Sequence, residues 1–138
     1  MTKTIASTDL SVLDSTEACN TAHEFELTHP VDGRGLGVYF SVYGKDSTIY
    51  KAKVRALGND SLRGRTMDLK TMEEKNIDAL VAVMAGWRSD DLGMGKILLR
   101  GETLEFNPEN ARKVFRELEP AREQTQAVVN DLGNFMTG

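Results

Sequence analysis

The residues of this 138-residue chain that could do chemistry are few. They are two histidines (His23 and His29), one cysteine (Cys19), two glycine-rich runs and two pairs of adjacent carboxylates. A metal site would need both histidines on one ion. Six residues of extended chain instead hold them roughly 20 Å apart, at about 3.3 Å per residue. A thiol nucleophile needs a base, and Cys19 has no recognisable histidine partner nearby. A single cysteine also excludes an internal disulfide and a cysteine-based zinc cluster. Gly33-Arg-Gly-Leu-Gly37 has the wrong spacing for G-x-G-x-x-G and sits between two expected strands. Gly93-Met-Gly-Lys96 lacks the first glycine and the Ser/Thr of a phosphate loop. Glu73-Glu74 and Asp90-Asp91 are sequence neighbours whose side chains point in different directions, with no acid/base partner in view. No nucleophile elbow is present. The expectation is a protein that is not an enzyme, with no catalytic, cofactor-binding or metal-ligating residue.

Composition sets the remaining bounds. Hydrophobic residues make up 40% of the chain and charged residues 28%, enough apolar material for one core in one domain. The lone cysteine fits a reducing compartment. No long apolar run follows the first lysine and no segment has the roughly 18 apolar residues of a membrane span, so no signal peptide and no membrane partner are expected. The net charge of −4 is unevenly spread. Residues 45–70 carry seven basic and three acidic side chains, a +4 island in a chain that is otherwise −8. A nucleic-acid reading would want aromatic or groove-reading elements among those charges, and only Tyr50 is there. The island reads better as a solvated helix face that attracts acidic regions of the same or another chain.

These side chains need elements to position them. Residues 1–22, rich in Ser, Thr and Asp, read as a flexible arm. From His23 the pattern alternates: His23, Phe25, Leu27 and His29 share one strand face, and Val38, Phe40 and Val42 share a face of a second strand. The Pro30-Val-Asp-Gly33 turn joins them into a hairpin. A helix is expected from Asp46 to about Leu57, with Ile49, Ala52 and Ala56 inward and Gly58-Asn59 ending it; residues 58–65 read as a loop. A long helix is expected from about Thr66 to Arg88, its buried stripe formed by Leu69, Met72, Ile77, Leu80, Val81, Met84 and Trp87. Leu104 and Phe106 alternate with polar residues in a short extended piece. Asn107 then caps a helix over about Pro108 to Leu118, with Pro108 at its first position and Ala111, Val114, Phe115 and Leu118 inward. A last helix runs from Pro120 to near Gly133, with Val128, Leu132 and Phe135 on its apolar side. The fold class expected is α+β and mostly helical. It comprises an N-terminal arm (1–22) and a single α-rich domain (23–138) with one β-hairpin and about four helices.

In this order and spacing the pieces resemble the tail assembly chaperones of long, flexible-tailed, siphovirus-type bacteriophages. The resemblance rests on Glu24-Phe-Glu-Leu-Thr-His-Pro-Val-Asp-Gly33 and on an aromatic strand followed by Gly44-Lys-Asp-Ser47 and a helix. It continues with the amphipathic segment ending in Gly86-Trp87, the block Gly101-x-x-Leu-x-Phe-x-x-Glu-Asn-Ala-x-x-Val-Phe115, and Asp131-Leu-Gly-Asn-Phe135. It covers residues 23–135. One departure is Ala121-Arg122 after Pro120, where a bulkier apolar residue is expected.

The resemblance implies a non-enzymatic role in virion assembly. Such chaperones are thought to coat the tape-measure protein, keep it soluble and help tail-tube subunits polymerise around it. They act in the host cytoplasm, and are absent from the mature virion. The implied partners are the tape-measure protein, the tail-tube protein and further copies of the chain, with no nucleic acid, membrane or cofactor. The residues read as an adaptable apolar client surface are Phe25, Leu27, Met67, Met72 and Met84. Trp87, Phe106, Asn107 and Phe115 read as structural. The competing class is a structural virion protein, such as a tail completion or head–tail connector subunit.

Overall fold

The structure, a computed structural model, describes residues 9–13, 15–62, 69–131 and 135. Met67, Leu132, residues 63–66 of the expected loop and helix start, and residues 1–8 of the expected arm lie outside the described residues. A 3₁₀ turn, Leu10–Leu13, and a single helical turn, α1 (Thr16–Cys19), precede the first strands. β1 (His23–Thr28) and β2 (Gly35–Val42) form the expected hairpin, with Phe25 opposite Phe40 and His23 opposite Val42. α2 (Thr48–Leu62) and α3 (Leu69–Val83) follow. Then come β3 (Met84–Ser89), β4 (Gly93–Met94), β5 (Lys96–Leu99) and β6 (Glu102–Glu105), and finally α4 (Pro108–Glu117) and α5 (Glu119–Asn130).

The expectation of a mostly helical fold with one hairpin is therefore corrected. The fold is α+β, with six strands among the described residues in two antiparallel sheets: a four-stranded sheet in the order β1-β2-β3-β4, and a second hairpin, β5-β6. The source of the error is specific. Trp87 does not end a long helix; it lies in β3, and α3 stops at Val83. In the β2–β3 ladder Val42 faces Met84 and Ser41 faces Gly86, so Ala85 is an extra, bulged residue. The bulge lets Met84 and Trp87, three apart, both reach the buried face, where a regular strand would send them to opposite faces. That spacing imitates a helical stripe. At its other end the expected stripe fails: Leu69 is 84% exposed and Met72 52% exposed, while Ile77 and Leu80 are fully buried.

α2 also differs from its expected course. It continues through Gly58-Asn59 to Leu62, and none of its residues 48–57 is buried, although Ile49, Ala52 and Ala56 have inward spacing. The third and fourth expected helices are α4 and α5. Asn107 caps α4 as its type suggests, its side-chain oxygen accepting a hydrogen bond from the Asn110 N–H at 2.8 Å, with Pro108 at the start.

The core is a chain of rings. Phe40, fully buried, has ring neighbours Phe25 at 6.1 Å, Trp87 at 5.6 Å and Phe115 at 6.1 Å. Trp87 meets Phe106 edge to face at 5.2 Å. Such pairs contribute about 0.5–1.5 kcal/mol each beyond the area they bury. Trp87 Nε1–H donates to the Gly95 carbonyl at 3.1 Å, and Ser89 Oγ–H to that of Lys96 at 2.9 Å; both bonds tie β3 to the β5–β6 hairpin. Ile97 and Leu104, opposite each other in that hairpin, are buried, as are Ala111, Val114 and Phe115 on α4. On α5 the buried residues are Ala121, Thr125 and Val129. Ala121 is buried although bulk was expected there, and the neighbouring Arg122, its side chain only 13% exposed, donates to Glu73 at 2.7 Å. Cys19 is buried, and Gly44 N–H donates to its carbonyl. A Cβ on Gly44 would collide with Cys19 and approach the Phe135 ring, so this corner requires glycine. No described helix is long and apolar enough to cross a membrane.

Candidate interaction surfaces

The four described residues of the five read as a client surface (Phe25, Leu27, Met72 and Met84) do not share one exposed surface. Leu27 and Met84 are buried at 8% and 7% exposure, and Phe25 is half-buried against Phe40. Met72 is exposed on α3, and Met67 lies outside the described residues. Trp87, Phe106, Asn107 and Phe115 occupy the ring chain and the α4 cap. His29 accepts a hydrogen bond from the Val31 N–H through Nδ1 at 3.1 Å, and His23 packs on Phe135 with ring centres 5.6 Å apart. Each histidine thus has a local structural partner. The described residues contain no group of three or more His, Cys, Asp or Glu side chains placed to hold a metal ion.

Three exposed surfaces remain. The first is an apolar groove of about 150 Å³ where the end of β1 meets the α4–α5 corner. Its walls are Leu27, Pro30, Leu36, Leu118, Pro120 and Ala121, and they are almost wholly carbon. One polar bridge crosses its floor. The Gln124 side-chain oxygen accepts from Thr28 N–H at 2.9 Å, and its NH₂ donates to the Thr28 carbonyl at 2.8 Å. The amide thereby imitates a neighbouring strand and caps this part of the β1 edge. Leu36, 45% exposed, forms the outer lip of the groove.

The second surface is the outer face of the four-stranded sheet. Arg88 donates to both Glu24 carboxylate oxygens, at 2.9 and 2.8 Å, and its guanidinium lies 3.9 Å from the Tyr39 ring centre. The hydrogen bonds from Arg88 hold the Glu24 carboxyl below the usual carboxylate range, and raise the Arg88 value in turn. Arg88 is also 3.7 Å from Asp90. Beside it, Gly37 N–H donates to Glu26 at 2.9 Å and Asp90 N–H donates to the Gly37 carbonyl at 2.8 Å. This face has its charges and hydrogen bonds matched within the chain.

The third is α2. Ile49 is 47% exposed and Val54 45% exposed, and shallow grooves run along both flanks of the helix. One of about 370 Å³ is lined by Lys45, Asp46, Tyr50, Lys51, Val54 and Arg55. Six of the seven described arginines pair with carboxylates: Arg34, Arg88, Arg100, Arg112, Arg116 and Arg122. Arg55 has no ion pair among the described residues, nor do Lys45 and Lys53, while Lys51 has a long contact of 3.9 Å to Asp46. Sequence reasoning marked this island by charge alone. Ile49 was assigned to the core because its spacing with Ala52 and Ala56 is that of a buried helix face, and Val54 was given no role.

Comparison of the chain with models of protein families, with curated proteins and with the structures of known proteins finds no match.

Proposed function

We propose that this protein is a non-enzymatic tail assembly chaperone of a siphovirus-type bacteriophage, acting on the tape-measure protein in the host cytoplasm. The observation that carries the reading on the structural side is the apolar groove between β1 and the α4–α5 corner. A long helical client exposes apolar side chains at three- and four-residue intervals. A recognition site for it needs a dry pocket that seats one such side chain at a time. At about 150 Å³, with Leu27 at its floor and Leu36 at its lip, the groove has the size and chemistry for one aliphatic or aromatic anchor. It takes over the client role from Phe25, Met72 and Met84 and keeps Leu27. The ordered resemblance over residues 23–135 supports the choice of client, and the acidic remainder of the chain supports a soluble complex.

The test is co-expression with the tape-measure protein encoded alongside, scoring client solubility. Leu36→Asp places a charge at the exposed lip and leaves the core untouched. The expected result is a folded variant whose client moves to the insoluble fraction. A folded variant that keeps the client soluble overturns the groove as its site. Abundant full-length protein in purified virions would overturn the chaperone role in favour of a structural virion protein.

A further inference from the structure

We infer that the free edge of β1 is a strand-addition site for an extended segment of another protein, one that alternates basic and apolar side chains. This goes beyond the chaperone reading and needs no client. The direction of the backbone groups carries it. In β2 the odd-numbered residues point towards β3, since the Gly37 carbonyl accepts from Asp90 N–H; just past the strand, Tyr43 N–H donates to the Val83 carbonyl. The even-numbered Phe40 and Val42 therefore point towards β1, where they face Phe25 and His23. The same alternation on β1 leaves the backbone groups of Glu24, Glu26 and Thr28 directed off the sheet. The two hydrogen bonds between the Thr28 backbone and the Gln124 side chain agree with that direction.

β1 comes first in the strand order, so no strand of the sheet pairs with this edge. At Thr28 the Gln124 amide supplies both hydrogen bonds that a fifth strand would make. At Glu24 and Glu26 the outward N–H and C=O groups have no partner among the described residues. One position of a missing strand is thus filled by a side chain, and the two beside it are open.

The neighbouring side chains select the occupant. Glu24 and Glu26 are exposed on the outer face of the sheet, and Phe25 between them is half-buried on the inner face against Phe40. Arg88 grips Glu24, whereas Glu26 accepts the Gly37 N–H and has no ion pair among the described residues. A strand added antiparallel, as in every described ladder, sets one residue directly opposite each of the three. Lys or Arg opposite Glu26 and a β-branched or aromatic residue opposite Phe25 make the complementary pairs. A second copy of β1 is the wrong occupant. Joined about Phe25, two such edges would set Glu24 of one copy against Glu26 of the other, like charges directly opposed. The added strand stops at Glu26, because Gln124 holds Thr28, so the apolar groove stays open to the client.

The experiment is an NMR titration of the isotope-labelled full chain with no client present, so its failure is separate from any failure of the chaperone reading. The probe is a peptide of about six residues that alternates lysine and valine. The expected dissociation constant is about 1 mM or lower, with amide shifts centred on Glu24, Phe25 and Glu26. In the antiparallel register the lysines face Glu24 and Glu26 and share both backbone bonds with them. N-methylation of the lysine amides should therefore weaken binding about tenfold or more, and N-methylation of the valine amides by less than about twofold. Glu26→Gln keeps an acceptor for Gly37 N–H and removes the charge, and should weaken binding about two- to fivefold. Gln124→Ala uncovers Thr28 and should tighten it about two- to tenfold. The methylated peptides leave the protein unaltered, so they decide the matter even where a variant fails to fold. Absent shifts, shifts away from β1, lysine-amide methylation without effect, or equal binding of a shuffled peptide with its lysines together would each overturn the inference. A Glu26→Gln change in the sedimentation of the chain alone would assign the edge to a second copy and overturn it as well.

Discussion

Two helices of equal length, α2 and α3, adjoin each other and could hardly differ more in what holds them. α3 buries Ile77, Ala79, Leu80 and Val83, and its acidic side chains are gripped from the neighbouring helices: Asp78 by Arg112, Glu74 by Arg116 and Glu73 by Arg122. α2 buries none of its residues 48–57 and packs chiefly on α3. Its local anchors sit at its start, where Ser47 Oγ accepts from Tyr50 N–H and Asn20 Oδ1 from Thr48 N–H. The difference separates two uses of charge. On α3 the ion pairs lie over a packed stripe and fix helix orientation, each adding a modest amount. On α2, Arg55 has no ion pair among the described residues and stands beside half-exposed Val54, while Lys51 has only a long contact to Asp46.

The strongest way to break this comparison is at the packed side. Trp87 is 3% exposed, contacts the rings of Phe40 and Phe106, and bonds to Gly95. Trp87→Ala leaves a cavity where β2, β3 and the second hairpin meet. The expected loss is about 3–5 kcal/mol in chemical denaturation. An unchanged midpoint would mean that the ring chain does not organise the core.

A smaller effect is expected at the α4 cap. Asn107 has extended backbone geometry and satisfies the Asn110 N–H, an orphan donor of the first turn. Asn107→Ala should cost about 1 kcal/mol, and Asn107→Ser or Asn107→Asp should recover most of it. Equal losses for all three would show that the side-chain bond is not what holds the turn.

These two positions also mark how much of the fold could be read in the residues. The cap, the first hairpin and the inward face of α4 were legible because each is set locally, by a turn, an alternation or a helical repeat. β3 was not, because the Ala85 bulge gives Met84 and Trp87 a helix-like spacing that only pairing with β2 resolves. The β5–β6 hairpin was partly hidden, with only its second strand showing alternation at Leu104 and Phe106. Ile97 gains its burial from Leu104 across the turn. The apolar groove was the least legible. Leu27 and Met84 are apolar for the sake of the core, whereas the groove draws its walls from β1, β2 and the α4–α5 corner, segments some ninety residues apart in the chain.

The smallest expected effect lies on α2, and its smallness is what sharpens the comparison. Val54 is 45% exposed and borders the groove that holds Tyr50, Lys51 and Arg55. If α2 were a core helix whose inner face had merely loosened, Val54→Ser would cost one kilocalorie or more, as buried truncations do. A solvent-facing position should change stability by no more than about 0.5 kcal/mol. A Val54→Ser protein that unfolds markedly earlier than wild type would return this helix to the core and remove the contrast with α3.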